Sequence, residues 1–259
     1  MHSDTGPVAV LGLGEAGSLI ARDLVRGWDP DLHGDLSEIP IARSFAEAVD
    51  GARVVLSVNW ASVALDVAHE ALPLLRPGCL YADLNTAGPS LKQELARIVA
   101  PSGAAFVDVA MMTPVPPAGI RVPMFLAGDG APALAEILRP FGTPLEIVGT
   151  EPGEAAARKL TRSVFFKGMS GAICEALDAA RAAGVEDWLR ADITRTLVSA
   201  DASTLDRVVT GTLKHAKRRA HEMRDAGQLL DELGVPATIT RATAESLERI
   251  VGDGERPAS

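Results

Sequence analysis

Two cysteines in 259 residues, Cys79 and Cys174, are too few and too far apart in sequence for a disulfide framework or a thiolate metal cluster. Both fall in segments that read as buried, one a strand and one a helix. No run of about 18 consecutive apolar residues exists, so the sequence offers no helix able to span a bilayer. Met1–Gly6 lacks the basic stretch and apolar run of a secretory leader. Positive charge is in deficit: 25 Lys and Arg against 34 Asp and Glu leave a formal net charge of −9, which argues against a surface built to hold phosphate backbones. Five histidines are scattered, and His215 and His221 do not share a helical face, so no metal site is expected. These absences leave a soluble protein of a reducing, cytoplasmic compartment, with neither nucleic acid nor membrane as partner.

What is present supports a globular chain. Apolar residues make up 47% and charged residues 23%, enough to bury a core, and the length suggests two domains. Only Gly252–Ser259 reads as a frayed tail. Short apolar runs at Val8–Leu11, Val54–Val58, Cys79–Leu84, Phe106–Val109 and Met124–Leu126 alternate with helical patterns. Continuous runs of this kind suit parallel strands covered on both faces. The prolines Pro114, Pro116, Pro117 and Pro123 mark a rigid loop before the last of these runs. After Gly149 the pattern changes: Pro152 and Gly153 open a stretch without proline that ends at Gly184, a helix of about 30 residues spanning roughly 45 Å. Asp187–Val251 reads as further helices. The expectation is an α/β fold, a Rossmann-type doubly wound parallel sheet over residues 1–150, followed by an all-helical domain over 151–259.

Gly12, Gly14 and Gly17 form a G-x-G-x-x-G directly after the first apolar run. The first glycine permits the turn, the second lets backbone approach a pyrophosphate, and the third lets helix pack on strand, which leaves helix N-terminal amides aimed at the anion. With Leu13, Glu15 and Ala16 these glycines are the expected phosphate cradle. The acidic residue expected about 20 residues later is not in place, since Asp29 follows Gly17 too soon. Either Val25–Trp28 is a second strand after a shortened helix, or Leu32–Ile41 contains a displaced one. If Asp29 ends the second strand, its carboxylate favours NAD by repelling a 2′-phosphate, while Arg26 or Arg43 would act the other way.

On the long helix Lys159, Ser163 and Lys167 fall at i, i+4 and i+8 and share a stripe bordered by Arg162. The apolar neighbours Leu160, Val164, Phe165 and Phe166 suggest partial burial, which would lower the lysine pKa values. A lysine so tuned can give a proton to a carbonyl oxygen as hydride reaches the carbon. The stripe also fits a plain solvated basic face.

Four segments in order, Gly12–Ser18, Asp83-Leu84-Asn85-Thr86-Ala87-Gly88-Pro89, Asp108–Val115, and Gly153 through Lys159 to Ser163, resemble the β-hydroxyacid dehydrogenase and 6-phosphogluconate dehydrogenase superfamily. The stretches Lys159–Gly168 and His215–Met223 resemble its branch whose helical domain has no assigned function. The resemblance implies an NAD(P)-binding domain, leaning to NADP, a helical domain that pairs in a homodimer, and a catalytic lysine at Lys159. It places Asn85 and Thr86 beside substrate and nicotinamide, and Val58, Asn59 and Trp60 in the loop after the fourth strand, which passes over the cofactor. For Trp60 a buried anchor is the commoner use of such a side chain. Asn85 stands where serine is usual. Met112-Thr113-Pro114 replaces the Ser-Gly-Gly that takes the substrate carboxylate, and Ser163 replaces an asparagine. The family's later Lys-Asp pair has no clean counterpart among Lys217, Arg218 and Arg219.

The expected activity is hydride transfer between nicotinamide and a small anionic hydroxyacid or its keto or semialdehyde form. Lys159 is the general acid or base, assisted by Ser163 and Lys167, and Met112, Thr113 and Arg162 contact substrate. Imine reduction and a cofactor-binding sensor without turnover are the alternatives.

Overall fold

Val8–Leu11 (β1) is apolar and buried at every position, as a parallel strand covered on both faces must be. It belongs to a seven-stranded sheet in the computed structural model, which describes residues 8–22, 26–33 and 36–254. The other strands are Arg26–Trp28 (β2), Val54–Ser57 (β3), Leu80–Asp83 (β4), Ala105–Met111 (β5), Met124–Ala127 (β6) and Leu145–Gly149 (β7). Their order is β2-β1-β3-β4-β5-β6-β7, and neighbours run parallel except β5 and β6.

Both sheet faces are covered. Val8 and Val10 pack with Ile20 of Glu15–Arg22 (α1) and Leu134 of Ala131–Leu138 (α5). Ala9 and Leu11 pack with Phe45 of Phe45–Val49 (α2), Ala68 of Ala64–Ala71 (α3) and Leu95 of Pro89–Val99 (α4). The expected doubly wound α/β architecture is therefore present. Because β1 lies between β2 and β3, the winding reverses at its carboxyl end, the place where such sheets bind ligands.

The question of the second strand is settled. β2 follows the short α1 and is succeeded at once by Asp29, whereas Leu32–Ile41 contributes, among its described residues, only the single bridge between Gly27 and Ile41. Val25 lies outside the described residues. The Asn59 loop accordingly follows the third strand, and becomes the loop after a fourth only if the bridge at Ile41 is counted. β7 was not among the expected strands.

Register places a polar row at the carboxyl end of the sheet. Ser57 pairs with Asp83, and Asp83 with Asp108, across β3, β4 and β5, and all three are fully buried.

Glu154–Ala182 (α6) is the long helix expected from the sequence, and the chain divides into two compact units within it, between Arg162 and Ser163. It ends where Gly184 adopts φ +73° and Val185 N–H donates to the Ala180 carbonyl at 2.8 Å, satisfying the last turn. Glu186–Val198 (α7), Thr204–Glu232 (α8) and Thr238–Gly254 (α9) follow, with α8 interrupted at His215 (φ −120°, ψ 21°). α8 and α9 share a small core of Ala216, Ala220 and Leu247.

Cys174, expected to be buried, is exposed on a face of α6 that no described residue covers, whereas Cys79 is buried and its thiol is pushed up to about 11 by that burial. Leu160, Val164, Phe165 and Phe166 are likewise exposed rather than buried. Trp60 is 81% exposed and anchors no core. Gly252–Gly254 is not a frayed tail but the last turn of α9.

Candidate active site

The glycine turn has the geometry its spacing implies. Gly12 adopts φ +99°, and a Cβ there would lie 2.3 Å from the Val58 carbonyl oxygen. A Cβ on Gly17 would lie 1.9 Å from the Gly12 carbonyl oxygen, so this residue lets α1 close onto the turn. A Cβ on Gly14 would meet nothing within 4 Å, which leaves the open backbone that a pyrophosphate needs. Glu15 begins α1, whose first amides have no partner within the helix. Leu13 buries its side chain against Gly27, while its N–H donates to Asp29 Oδ2 at 2.6 Å. Asp29, at the end of β2, thus sits beside the turn with its carboxylate half exposed. Ala16 is half-buried in α1. Arg43 pairs with Glu47, and the side chain of Arg26 lies outside the described residues.

From the turn a path of hydrogen bonds and chain neighbours leads to Lys159. Val58 N–H donates to the Leu11 carbonyl at 2.8 Å, which holds the Val58–Trp60 loop against β1. Asn59 N–H donates to Asn85 Oδ1 at 2.6 Å, and Asn85 Nδ2 donates to Asn59 Oδ1 at 2.9 Å and Asp83 Oδ2 at 2.6 Å. Asn85 is buried, and its amide joins the loops after β3 and β4. Thr86, the next residue, accepts at Oγ1 from Lys159 Nζ at 2.9 Å. Arg162, three residues on, donates from Nη1 to the Met112 carbonyl at 3.0 Å, bringing the helix against the Met112-Thr113-Pro114 loop. Sequence reasoning named all of these residues, and the fold brings them together. Ser163 and Lys167 continue the helical stripe of Lys159 but belong to the second compact unit.

Sequence reasoning missed what lies underneath. Lys92 of α4 is only 1% exposed, with Nζ 2.6 Å from Asp83 Oδ1, 2.8 Å from the Asp83 carbonyl and 3.2 Å from Asp108 Oδ1. Asp108 Oδ2 accepts from the N–H groups of Gly153 at 3.1 Å and Ala156 at 2.9 Å, so it caps α6 one turn before Lys159. Burial raises the Asp83 carboxyl, and the Lys92 ammonium opposes that shift. Removing one partner from such a buried set costs about 3–5 kcal/mol because it strands the other charge. A signal existed: Lys92, Leu95 and Val99 fall at i, i+3 and i+7 on the buried stripe of α4, and a lysine on that stripe requires anionic partners. Among the described residues no group of acids, histidines and cysteines is arranged to hold a metal.

Residues 180–250 match the model of a domain of unknown function, DUF1932. A conserved hypothetical protein from Sinorhizobium meliloti 1021 is 30% identical, with 99% of this chain and 92% of that one covered at a TM-score of 0.62. The chain belongs to the same family as this hypothetical protein, and its helical part carries the DUF1932 domain. A conserved protein of unknown function, described as structurally similar to 3-hydroxyacid dehydrogenases, is 24% identical over 96% of this chain and all of its own (TM-score 0.60). A reductive aminase from Aspergillus terreus, solved with NADPH and ethyl-5-oxohexanoate, superposes with a TM-score of 0.78 at 17% identity, covering 96% of this chain and 94% of its own. Both share the fold.

Proposed function

We propose that this chain is a member of the β-hydroxyacid dehydrogenase and 6-phosphogluconate dehydrogenase superfamily, a nicotinamide-dependent oxidoreductase that interconverts a small anionic hydroxyacid and its keto or semialdehyde form. The observation that carries the reading is the 2.9 Å hydrogen bond from Lys159 Nζ to Thr86 Oγ1, in a segment stitched through Asn85 and Asn59 to the glycine turn. A dinucleotide fits the turn, because Gly14 is open and Gly12 takes a conformation that a side chain would strain. When bound, a reduced nicotinamide supplies the hydride.

The chain's own residues do the rest. Lys159 gives a proton to the carbonyl oxygen as the hydride reaches the carbon, and takes it back in the reverse direction. Thr86 accepts one ammonium N–H and so aims the remaining protons. Asn85 positions the loop and leaves direct contact with substrate to Thr86, since its amide is committed to Asn59 and Asp83. Pro114 has no N–H to offer a carboxylate. Arg162, held at the Met112 carbonyl, supplies the positive charge that the Ser-Gly-Gly loop would otherwise replace with amides. Ser163 and Lys167 extend the polar stripe. Asp29 favours NAD, because a carboxylate anchored at the end of β2 suits ribose hydroxyls and repels a 2′-phosphate.

The chain acts as a homodimer in this reading. Val164, Phe165, Val198, Leu205, Val208 and Leu213 are all more than half exposed, and a groove of about 480 Å³ between α6, α7, α8 and α9 is lined by Ala176, Ala180, Trp188, Leu230 and Ile239. A helical unit with so small a core gains most from covering these faces with a second copy.

Loss of NADH absorbance with a panel of short keto acids and semialdehydes tests the activity. Oxidation of NADH by one of them supports it, while turnover of cyclic imines alone would favour the second reading, imine reduction, to which the proline-bearing substrate loop points. NADH binding without any oxidation would leave a sensor.

A further inference from the structure

The hydrogen bond between Lys159 and Thr86 has two ends, and each is traced back to one buried cation. On one side the ammonium of Lys92 holds Asp83 through Oδ1 and the main-chain carbonyl, Asp83 Oδ2 holds Asn85, and Asn85 precedes Thr86 in the chain. On the other side Lys92 lies 3.2 Å from Asp108 Oδ1, and Asp108 Oδ2 holds the amides of Gly153 and Ala156 in the first turn of α6, which carries Lys159. The hydrogen bond at Thr86 closes the ring. The helix by itself does not call for a lysine here. Leu95 and Val99 fill the same stripe of α4 with apolar side chains, and a third would complete it.

We propose that Lys92 is a positioning residue, which fixes the distance between the proton donor Lys159 and the Asp83–Thr86 segment by tying both to one ammonium. It touches neither substrate nor cofactor. The ring has a chemical logic. Two buried carboxylates on adjacent strands repel each other, and the ammonium between them replaces that repulsion with a shared attraction. Each carboxylate keeps a second oxygen for the element it orients. The amides at the start of α6 add positive potential to Asp108, as helix N-termini do, and Asn85 donates to Asp83. The set is therefore compensated at both ends.

The inference deepens the reading of Lys159 as proton donor and rests on it. It is tested by Lys92→Met, a change close in length that removes the charge, and by Lys92→Met combined with Asp108→Asn, which keeps the net charge of the set if the single variant does not fold. Amide exchange in the folded variant is expected to rise about tenfold in both residues 85–87 and residues 153–157 while residues 8–20 keep wild-type rates. The dissociation constant for NADH, read by fluorescence quenching, stays within about twofold. With NADH and whichever keto acid or semialdehyde of the panel is reduced, kcat falls about 100-fold and KM stays within threefold, as misplacement of a proton donor demands. General destabilisation would not produce that split. Wild-type exchange in either segment, or an unchanged kcat, would overturn the positioning role. If no member of the panel is reduced, the reading of the activity fails, and the exchange rates still decide whether Lys92 couples the two segments.

Discussion

In the proposed reading the Asp29 carboxylate favours NAD over NADP. It is held by the Leu13 and Asp31 amides at 2.6 and 2.9 Å, so it cannot swing away from an incoming phosphate. Replacing it with Ser should raise NADPH affinity relative to NADH by about tenfold, roughly the effect of one unscreened charge contact, as read by fluorescence titration of both nucleotides. Gly17→Ala should abolish binding of either nucleotide without touching Lys159, because the new Cβ would collide with the Gly12 carbonyl. A thermal-shift titration with NADH checks this. The glycines, Asn85, Thr86, Lys159 and Arg162 were legible in the sequence because turn chemistry and the family pattern fix their spacing. Lys92 carried no such pattern, and although Asp108 lies in a family segment, its partners, Lys92 on α4 and the amides of Gly153 and Ala156 at the start of α6, come from other elements that only the fold sets beside it.

Elements were legible where burial is uniform. β1 and β6 are continuous apolar runs, as are β3 and β4 up to their last residues Ser57 and Asp83, and all four were anticipated to within a residue or two. β2, with the sequence Arg-Gly-Trp, and β7, with two outward positions at Glu146 and Ile147, lack that signature because they lie at the two edges of the sheet. The start of α9 was invisible for a related reason: its cap comes from another helix. Glu175 of α6 accepts from the N–H groups of Ile239 and Thr240 and from the Thr240 hydroxyl, at 2.7 to 2.8 Å. Desolvation raises this carboxyl, but the Thr240 hydroxyl and the amides of Ile239 and Thr240 together lower it further, leaving it below the ordinary Glu range. Its contribution to stability is therefore present above that range and is lost as pH falls through the depressed folded value. Glu175→Ala should lower stability in urea melts at neutral pH by about 1 kcal/mol, the usual worth of a helix cap. The difference from wild type should vanish in acid.

For the whole molecule, composition and patterning were enough to foresee a doubly wound sheet followed by helices. They misjudged how much of the helical unit the chain buries by itself. The apolar residues taken as a sign of partial burial on the long helix, Leu160 and Val164 to Phe166, are exposed, as are Val198, Leu205 and Val208. Helical periodicity marks a face as apolar and cannot say whether the same chain or another copy covers it. Sedimentation velocity at micromolar concentration should show a dimer, and the pair Leu205→Glu and Val208→Glu should yield a monomer that still binds NADH through the glycine turn.

The proposed chemistry rests on Lys159 as the proton donor, and the direct measurement is turnover and NADH binding in Lys159→Met beside wild type. The variant should bind NADH within about twofold of wild type and lose about 10²- to 10⁴-fold in kcat on the substrate the panel identifies. A variant that oxidises NADH at the wild-type rate would contradict it.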